Sequence, residues 1–214
     1  MLPESSVPPL SGRANVIDYS TTASWGNQPH NGEMGHDQPS EGLFAWTELD
    51  AFSAFIYAFG DLNCHQKNER SWQINGNQLP VCTRDIGIFF GLALGGFIFS
   101  RRGLNRWTVR DSMLSIFPDN RLEYVYRKNL RTKAVLLMAA ITVIPLAIDG
   151  FTQMLTSYES TNSMRIITGL PFGVLISLYL AASFSSRPTF FEGDESRVIL
   201  PSNARFSSAT TEQE

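Results

Sequence analysis

Residues 166–186 read IITGLPFGVLISLYLAASFSS, a run with no charged side chain. The hydrocarbon core of a bilayer is about 30 Å thick, and a helix needs roughly 20 apolar residues to cross it. This stretch reaches that length by itself. A second, residues 134–155, reads AVLLMAAITVIPLAIDGFTQML and holds one acid, Asp149. A third, residues 86–100, reads IGIFFGLALGGFIFS and is short, so it needs Arg101 and Arg102 to snorkel or the bilayer to thin. A soluble helical domain with two such long uncharged runs would have little polar surface left to face water.

The fourth apolar stretch is residues 43–60, LFAWTELDAFSAFIYAFG. It carries Glu48 and Asp50, and only residues 51–60 are cleanly apolar. Two readings stay open, a spanning helix and an interfacial helix lying on the membrane. The expected fold class is therefore all-α: a polytopic membrane helical bundle of three to four spans, at about 43–60, 86–100, 134–155 and 166–186. Residues 1–42 hold five acids against one base and are rich in Ser, Pro, Gly and Asn. Residues 187–214 also lack apolar periodicity, so both ends are expected to be disordered tails around a membrane domain at 43–186. Met1 is not followed by basic residues and an apolar run, so no cleavable leader is expected.

Composition agrees with a membrane chain. Charged residues are 17% of the 214 residues, below the roughly 25% of soluble domains. The net charge of −3 gives no reason to expect a nucleic-acid partner. Charge is nevertheless grouped: residues 101–133 hold nine bases and three acids. Short loops rich in Lys and Arg stay cytoplasmic, so this connector is expected inside, along an anionic leaflet. Residues 61–85 and 152–165 are then expected at the outer face of a multi-pass cell-membrane protein.

Glycines mark the expected helix contacts. Gly87, Gly91 and Gly95 fall four apart, as do Gly169 and Gly173. Residues four apart share a helix face, so backbones can approach closely there. Pro145 and Pro171 are expected to kink their helices.

The chemistry is concentrated in the segments expected outside. One group is Cys64-His65-Gln66, Glu69-Arg70-Ser71-Trp72 and Pro80-Val81-Cys82-Thr83-Arg84-Asp85. The other is Asp149-Gly150-Phe151-Thr152-Gln153 with Asn162 and Arg165. Charged groups near lipid are costly unless paired, which makes them site candidates. Three explanations compete for the cysteines. A Cys64–Cys82 disulfide would close a loop and contribute roughly 3 kcal/mol in the chain-entropy model. Cys64, His65, Cys82 and Asp85 are zinc ligand types and together fill four positions. Alternatively the loop merely caps the bundle. An ion pair among Arg84, Asp85, Asp149 and Arg165 would lower the cost of burying them. The functional alternative leaves an arginine, Arg84 or Arg165, for an anionic group, with Asp149 as general base and His65 as acid or ligand.

The strings Cys-His-Gln-x3-Arg-Ser-Trp and Pro-Val-Cys-x-Arg-x2-Gly-Ile-Phe-x-Gly resemble a family of small membrane proteins of archaea and bacteria, a domain of unknown function. Pro145-x3-Asp149-Gly150-x-Thr152-Gln153 and Asn162-x2-Arg165-x3-Gly169-x3-Gly173 are similar to its later motifs, so the resemblance covers roughly residues 50–183. The family pattern often has cysteine where Asp85 stands. A Cys-His and Cys-x-x-Cys array implies a metal, and aspartate can replace a thiolate as a zinc ligand. No reaction comes with the resemblance. Two function classes follow. One is an enzyme acting on a lipid or a membrane-anchored substrate with Cys64, His65, Cys82 and Asp85 at a metal and His65, Arg84, Asp149 and Arg165 in catalysis. The other is a non-catalytic, disulfide-stapled scaffold or subunit for a membrane protein partner. A transporter has the least support, since few titratable groups lie deep within the spans.

Overall fold

The computed structural model describes residues 2–7, 9, 49–64 and 67–198. The rest of the two expected tails, and residues 43–48 of the first apolar stretch, lie outside the described residues. Six α-helices follow in chain order among them: α1 Ala51–Asn63, α2 Thr83–Arg102, α3 Val109–Leu114, α4 Asp119–Arg127, α5 Arg131–Leu155 and α6 Asn162–Ser185. A two-stranded hairpin, β1 Gln73–Ile74 and β2 Asn77–Gln78, is the only sheet among them. The chain divides into two compact units, Met1–Gly87 with Ser157–Gly169 and Ile88–Thr156 with Leu170–Glu214.

Among the described residues three helices are long and apolar enough to cross a membrane: α2, α5 and α6, with 20, 25 and 24 residues. At 1.5 Å per residue they measure about 30, 37 and 36 Å, which matches the hydrocarbon thickness. The short 86–100 run reaches this length because Thr83, Arg84 and Asp85 start the helix and Arg101 and Arg102 finish it. Large apolar side chains are left outward, among them Leu136, Leu137, Ile141 and Ile148 on α5, each more than 60% exposed. Helices α5 and α6 continue through Pro145 and Pro171. The fourth stretch gives a shorter helix. The Asp50 carboxylate caps α1 by accepting from the Phe52 and Ser53 N–H groups, both at 3.1 Å. From there α1 runs only 13 residues, about 20 Å, and it is not one of the three spans.

In the first unit, α1 packs Tyr57 against Val7, and the Tyr57 hydroxyl donates to the Gln78 carbonyl at 2.7 Å. The hairpin turns at Asn75-Gly76, both at positive φ, a conformation suited to Asn-Gly. Residues 2–7 lie along this hairpin although they belong to the low-complexity N-terminus. Ser5 N–H donates to Asn75 O, and Gln78 N–H donates to Val7 O, each at 3.2 Å. Asn77 fixes the same strip by accepting from Val7 N–H and donating to Pro3 O, both at 2.8 Å.

The glycines do what their spacing implies. In the second unit, a Cβ at Gly91 would stand 2.2 Å from the Leu170 carbonyl oxygen, and one at Gly173 would stand 2.1 Å from that of Ile88. In the first unit, a Cβ at Gly169 would stand 2.5 Å from the Arg84 carbonyl oxygen. The obstacles are backbone atoms and cannot rotate away, so α2 and α6 touch main chain to main chain.

The basic connector is more than a topology signal, because it folds. Thr108 caps α3, and α3 and α4 both pack on α5 in the second unit. Leu114, Leu122, Tyr126 and Val198 form a small core there. Arg106 is fully buried: it pairs with Asp119, donates to the Tyr126 hydroxyl at 3.1 Å and to the Glu192 carbonyl at 3.2 Å, and lies over the Phe191 ring. Asp111, equally buried, accepts from Arg131 at 3.3 Å. Burial, then the Asp111 charge, push the Tyr126 hydroxyl up to about 12, so it stays a neutral partner for Arg106. Residues 187–198 begin the stretch read as a C-terminal tail, yet here they close this core. Glu192 N–H donates to Asn105 O at 2.8 Å, Arg187 N–H to Arg106 O at 2.9 Å, and Val198 is 2% exposed.

The glycine contacts give a direct prediction. Gly91→Ala and Gly173→Ala will each destabilise the detergent-solubilised protein by about 1–3 kcal/mol, the usual cost of overpacking. Gly150→Ala meets nothing within 4 Å and will be neutral or slightly stabilising. Thermal unfolding of the three variants beside the parent measures this, and equal midpoints would remove the contact from the account.

Candidate functional site

Two helix ends bring the cysteines together within the first unit. Cys64 is the residue that ends α1, its N–H donating to the Gly60 carbonyl at 2.8 Å. Cys82 precedes α2, its carbonyl accepting from Ile86 N–H at 3.1 Å. What sets the two ends side by side is the absence of a side chain at Gly60: a Cβ there would stand 1.9 Å from the Pro80 carbonyl oxygen. Cys82 N–H then points at Cys64 Sγ, 3.4 Å away. Asp85 comes three residues after Cys82, on the same side of the first helical turn. Its carboxylate accepts from the Cys82 thiol at 3.4 Å.

Both sulfurs and one Asp85 oxygen lie within 4.8 Å of one another. Two thiolates on a tetrahedral zinc ion are about 3.8 Å apart, so small side-chain rotations close the set. All three residues are half-buried and both cysteines are free thiols. Their hydrogen bond divides the acidity. Cys64 is pushed up by that bond, by burial and by the negative charges of Cys82 and Asp85. Cys82 is pulled down, because the Cys64 thiol stabilises its thiolate. The arrangement therefore sets two sulfurs of unequal acidity beside a carboxylate, Cys82 the more acidic of the two. His65 lies outside the described residues.

The arginines form a separate bridge in the same unit. Arg165 stands in the first turn of α6 with its side chain 2% exposed. It donates from Nε to the Ser160 carbonyl at 3.0 Å and from Nη2 to Glu159 at 2.8 Å. Arg70 takes the other oxygen of Glu159. Next to them the Thr83 hydroxyl donates to Asn162 Oδ1 at 2.9 Å and lies 3.2 Å from the Arg70 carbonyl, which joins the first residues of α2 and α6. Arg84 lays its stem against α6, where a Cβ at Gly169 would stand 3.4 Å from its Cγ. Asp149 belongs to the second unit. It is 8% exposed on α5 and accepts from the Gln153 amide at 2.9 Å.

The structure thus groups Cys64, Cys82 and Asp85, and gives Arg165 a carboxylate that the sequence analysis did not name. Glu159 is the only acid between Asp149 and Glu192, and that isolation was its available signal. Arg70 was part of the dense polar string but had no assigned role.

Three apolar spans with a polar cluster at the start of one of them define a helical integral membrane protein. The chain belongs to the family described as "Predicted membrane protein (DUF2085)", which matches residues 64–179, more than half of its length and all of the cluster. An uncharacterized protein of Methanothermobacter thermautotrophicus is 35% identical over 111 residues, 52% of this chain and 78% of that protein. An uncharacterized protein of Methanocaldococcus jannaschii is 31% identical over 141 residues, 65% of this chain and 71% of that protein. No solved structure matches the chain.

The Glu159 bridge has a defined pH dependence. The hydrogen bond from Arg70, then that from Arg165, hold the Glu159 carboxyl below its ordinary 4.5. The folded chain therefore binds this proton less readily than the unfolded one, and the bridge stabilises above that value and is lost as the pH falls below it. Glu159→Gln will cost about 1 kcal/mol at neutral pH, since the carboxylate is half exposed. It will also flatten the fall in unfolding midpoint between neutrality and mild acid. A variant that keeps the parent's acid slope would show that the bridge is not its source.

Proposed function

We propose that this membrane protein holds a zinc-class ion on Cys64, Cys82 and Asp85, with His65 as the fourth ligand. It does so at the outer face of the cell membrane and acts there on a lipid or a membrane-anchored substrate. The observation that supports this is the convergence of two thiols and a carboxylate, from two helix ends, within 4.8 Å. With four protein ligands the ion would act on a substrate by taking its carbonyl or phosphoryl oxygen as a fifth ligand or in place of one of the four, and would polarise it there. Arg84, next in sequence to the ligands, supplies a fixed cation for an anionic substrate group, and Arg165 with Glu159 positions the start of α6. The second reading, a disulfide-stapled scaffold or complex subunit, is favoured by the same pair of neighbouring sulfurs. The two readings exclude each other chemically, because a disulfide has no thiolate to give.

The test is native mass spectrometry of the purified full chain with metal quantification and thiol alkylation. One zinc per chain is expected, with both thiols alkylated only after chelation. Cys82→Ser and Asp85→Ala will each lower the zinc content while the protein still folds. A chain two protons lighter, without metal and alkylated only after reduction, is the scaffold instead. An impermeant maleimide, applied to cells after chelation and reduction, tests the side of the membrane. Labelling at Cys64 and Cys82 is expected, and exclusive labelling of a cysteine placed near residue 115 would reverse the topology.

A further inference from the structure

Helix α1 has two opposite faces with different surroundings. Tyr57, Gly60 and Asp61 are buried toward the protein. On the other side stand Phe52, Phe55, Phe59 and Leu62, exposed by 75, 66, 46 and 52%. Their spacing of three, four and three residues puts them in one stripe. The only charged residue between Ala51 and Asn63 is Asp61, which is 1% exposed and faces inward. A stripe of four large apolar side chains with no charge among them is costly in water.

The position of this stripe is fixed by contacts already described. The Tyr57 hydroxyl holds Gln78, Gly60 rests on Pro80, and Cys64 meets Cys82, the residue before α2 enters its span. α1 is therefore tied at the level where a membrane helix begins. In the first unit Trp72 and Tyr158, in the segments that lead into α2 and α6, are each 45% exposed. Trp and Tyr gather at the boundary between headgroups and acyl chains. At about 20 Å the helix is too short to cross.

We infer that α1 is an in-plane helix whose Phe52, Phe55, Phe59 and Leu62 face docks into the bilayer at the boundary of headgroups and acyl chains. The occupant of this face is lipid, and not a second copy of the chain or a soluble partner. The inference does not depend on the metal reading. It does bear on it, since the helix ends at Cys64 and so holds that sulfur at headgroup depth.

The experiment places trifluoromethyl-phenylalanine singly at Phe52, Phe55 or Phe59 of the full chain in phosphatidylcholine nanodiscs. Fluorine relaxation is read with three paramagnetic probes: a water-soluble chelate, a lipid labelled near the top of its acyl chain, and one labelled near the methyl end. At all three positions the upper-chain label should give the largest enhancement, several-fold above the other two. Phe52 and Phe59 lie about 10 Å apart along the axis. Equal depth at both is the sign of a helix lying flat. Largest relaxation by the aqueous chelate would overturn the inference, as would a depth gradient from Phe52 to Phe59 or silence toward every probe. Silence would show the face to be covered by protein. None of these readings depends on zinc content.

Discussion

The backbone contact of α2 with α6 is the constraint on which the rest depends. Lipid tails are as apolar as the side chains they meet, so burial alone does not bring two membrane helices together. Close packing must do it, and it requires the absence of side chains at the crossing. Gly91 and Gly173 supply this in the second unit, and Gly169 does so in the first. The beginnings of the two helices are joined there by the Thr83 to Asn162 hydrogen bond. Cys82, Arg84, Asp85 and Arg165 are all residues of these helix beginnings. The nearness of Arg84 to Arg165 is therefore a consequence of packing, and in the separate thiol cluster the loop has only to add Cys64 to two residues of the α2 start.

Much of this was legible in the sequence, for physical reasons that differ by element. Span α6 follows from a run with no charge, because lipid tolerates none without pairing. The glycine contacts follow from a four-residue period, because that period defines a helix face. Cys82 and Asp85 were legible only as zinc ligand types, because the apolar run starts at Ile86 and does not announce that the helix begins at Thr83. Cys64 was harder, since its approach depends on Gly60 meeting Pro80, a contact between residues twenty apart that no local pattern announces.

The basic connector does more than its charge count announces. Nine bases in 33 residues satisfy the rule that cytoplasmic loops are basic. That rule counts charges and does not ask where each one goes. Arg106 and Asp111 are fully buried, each beside its own counter-charge, with Tyr126 between them as a neutral hydroxyl. An ion pair in the interior is costly unless nearly every donor and acceptor is used. Arg106 meets that condition only because residues 187–192 return to offer the Glu192 carbonyl and the Phe191 ring. The closing partners come from more than eighty residues downstream, in a segment whose composition reads as tail. The pattern for such a core is distributed along the chain, and only the fold assembles it.

Charge also bears on the thiol cluster. An aspartate in the first turn of a helix needs no special explanation, since the positive end of the helix dipole favours it. Asp85 alone is therefore weak support for a cation. The two sulfurs carry more weight, because they come from different elements and are held half-buried against each other and against a carboxylate. Between the sulfurs the Cys64 thiol donates to Cys82, which raises Cys64 and lowers Cys82. Two thiolates and a carboxylate around a divalent ion leave one net negative charge, and that charge sits at the amino end of a long helix beside Arg84. A disulfide would remove both ionisable sulfurs and leave Asp85 facing no acidic hydrogen. The proposed cation site and a covalent staple would each leave one net negative charge at this helix start, so what distinguishes them is the state of the sulfurs, ligating thiolates in one and an S–S bond in the other.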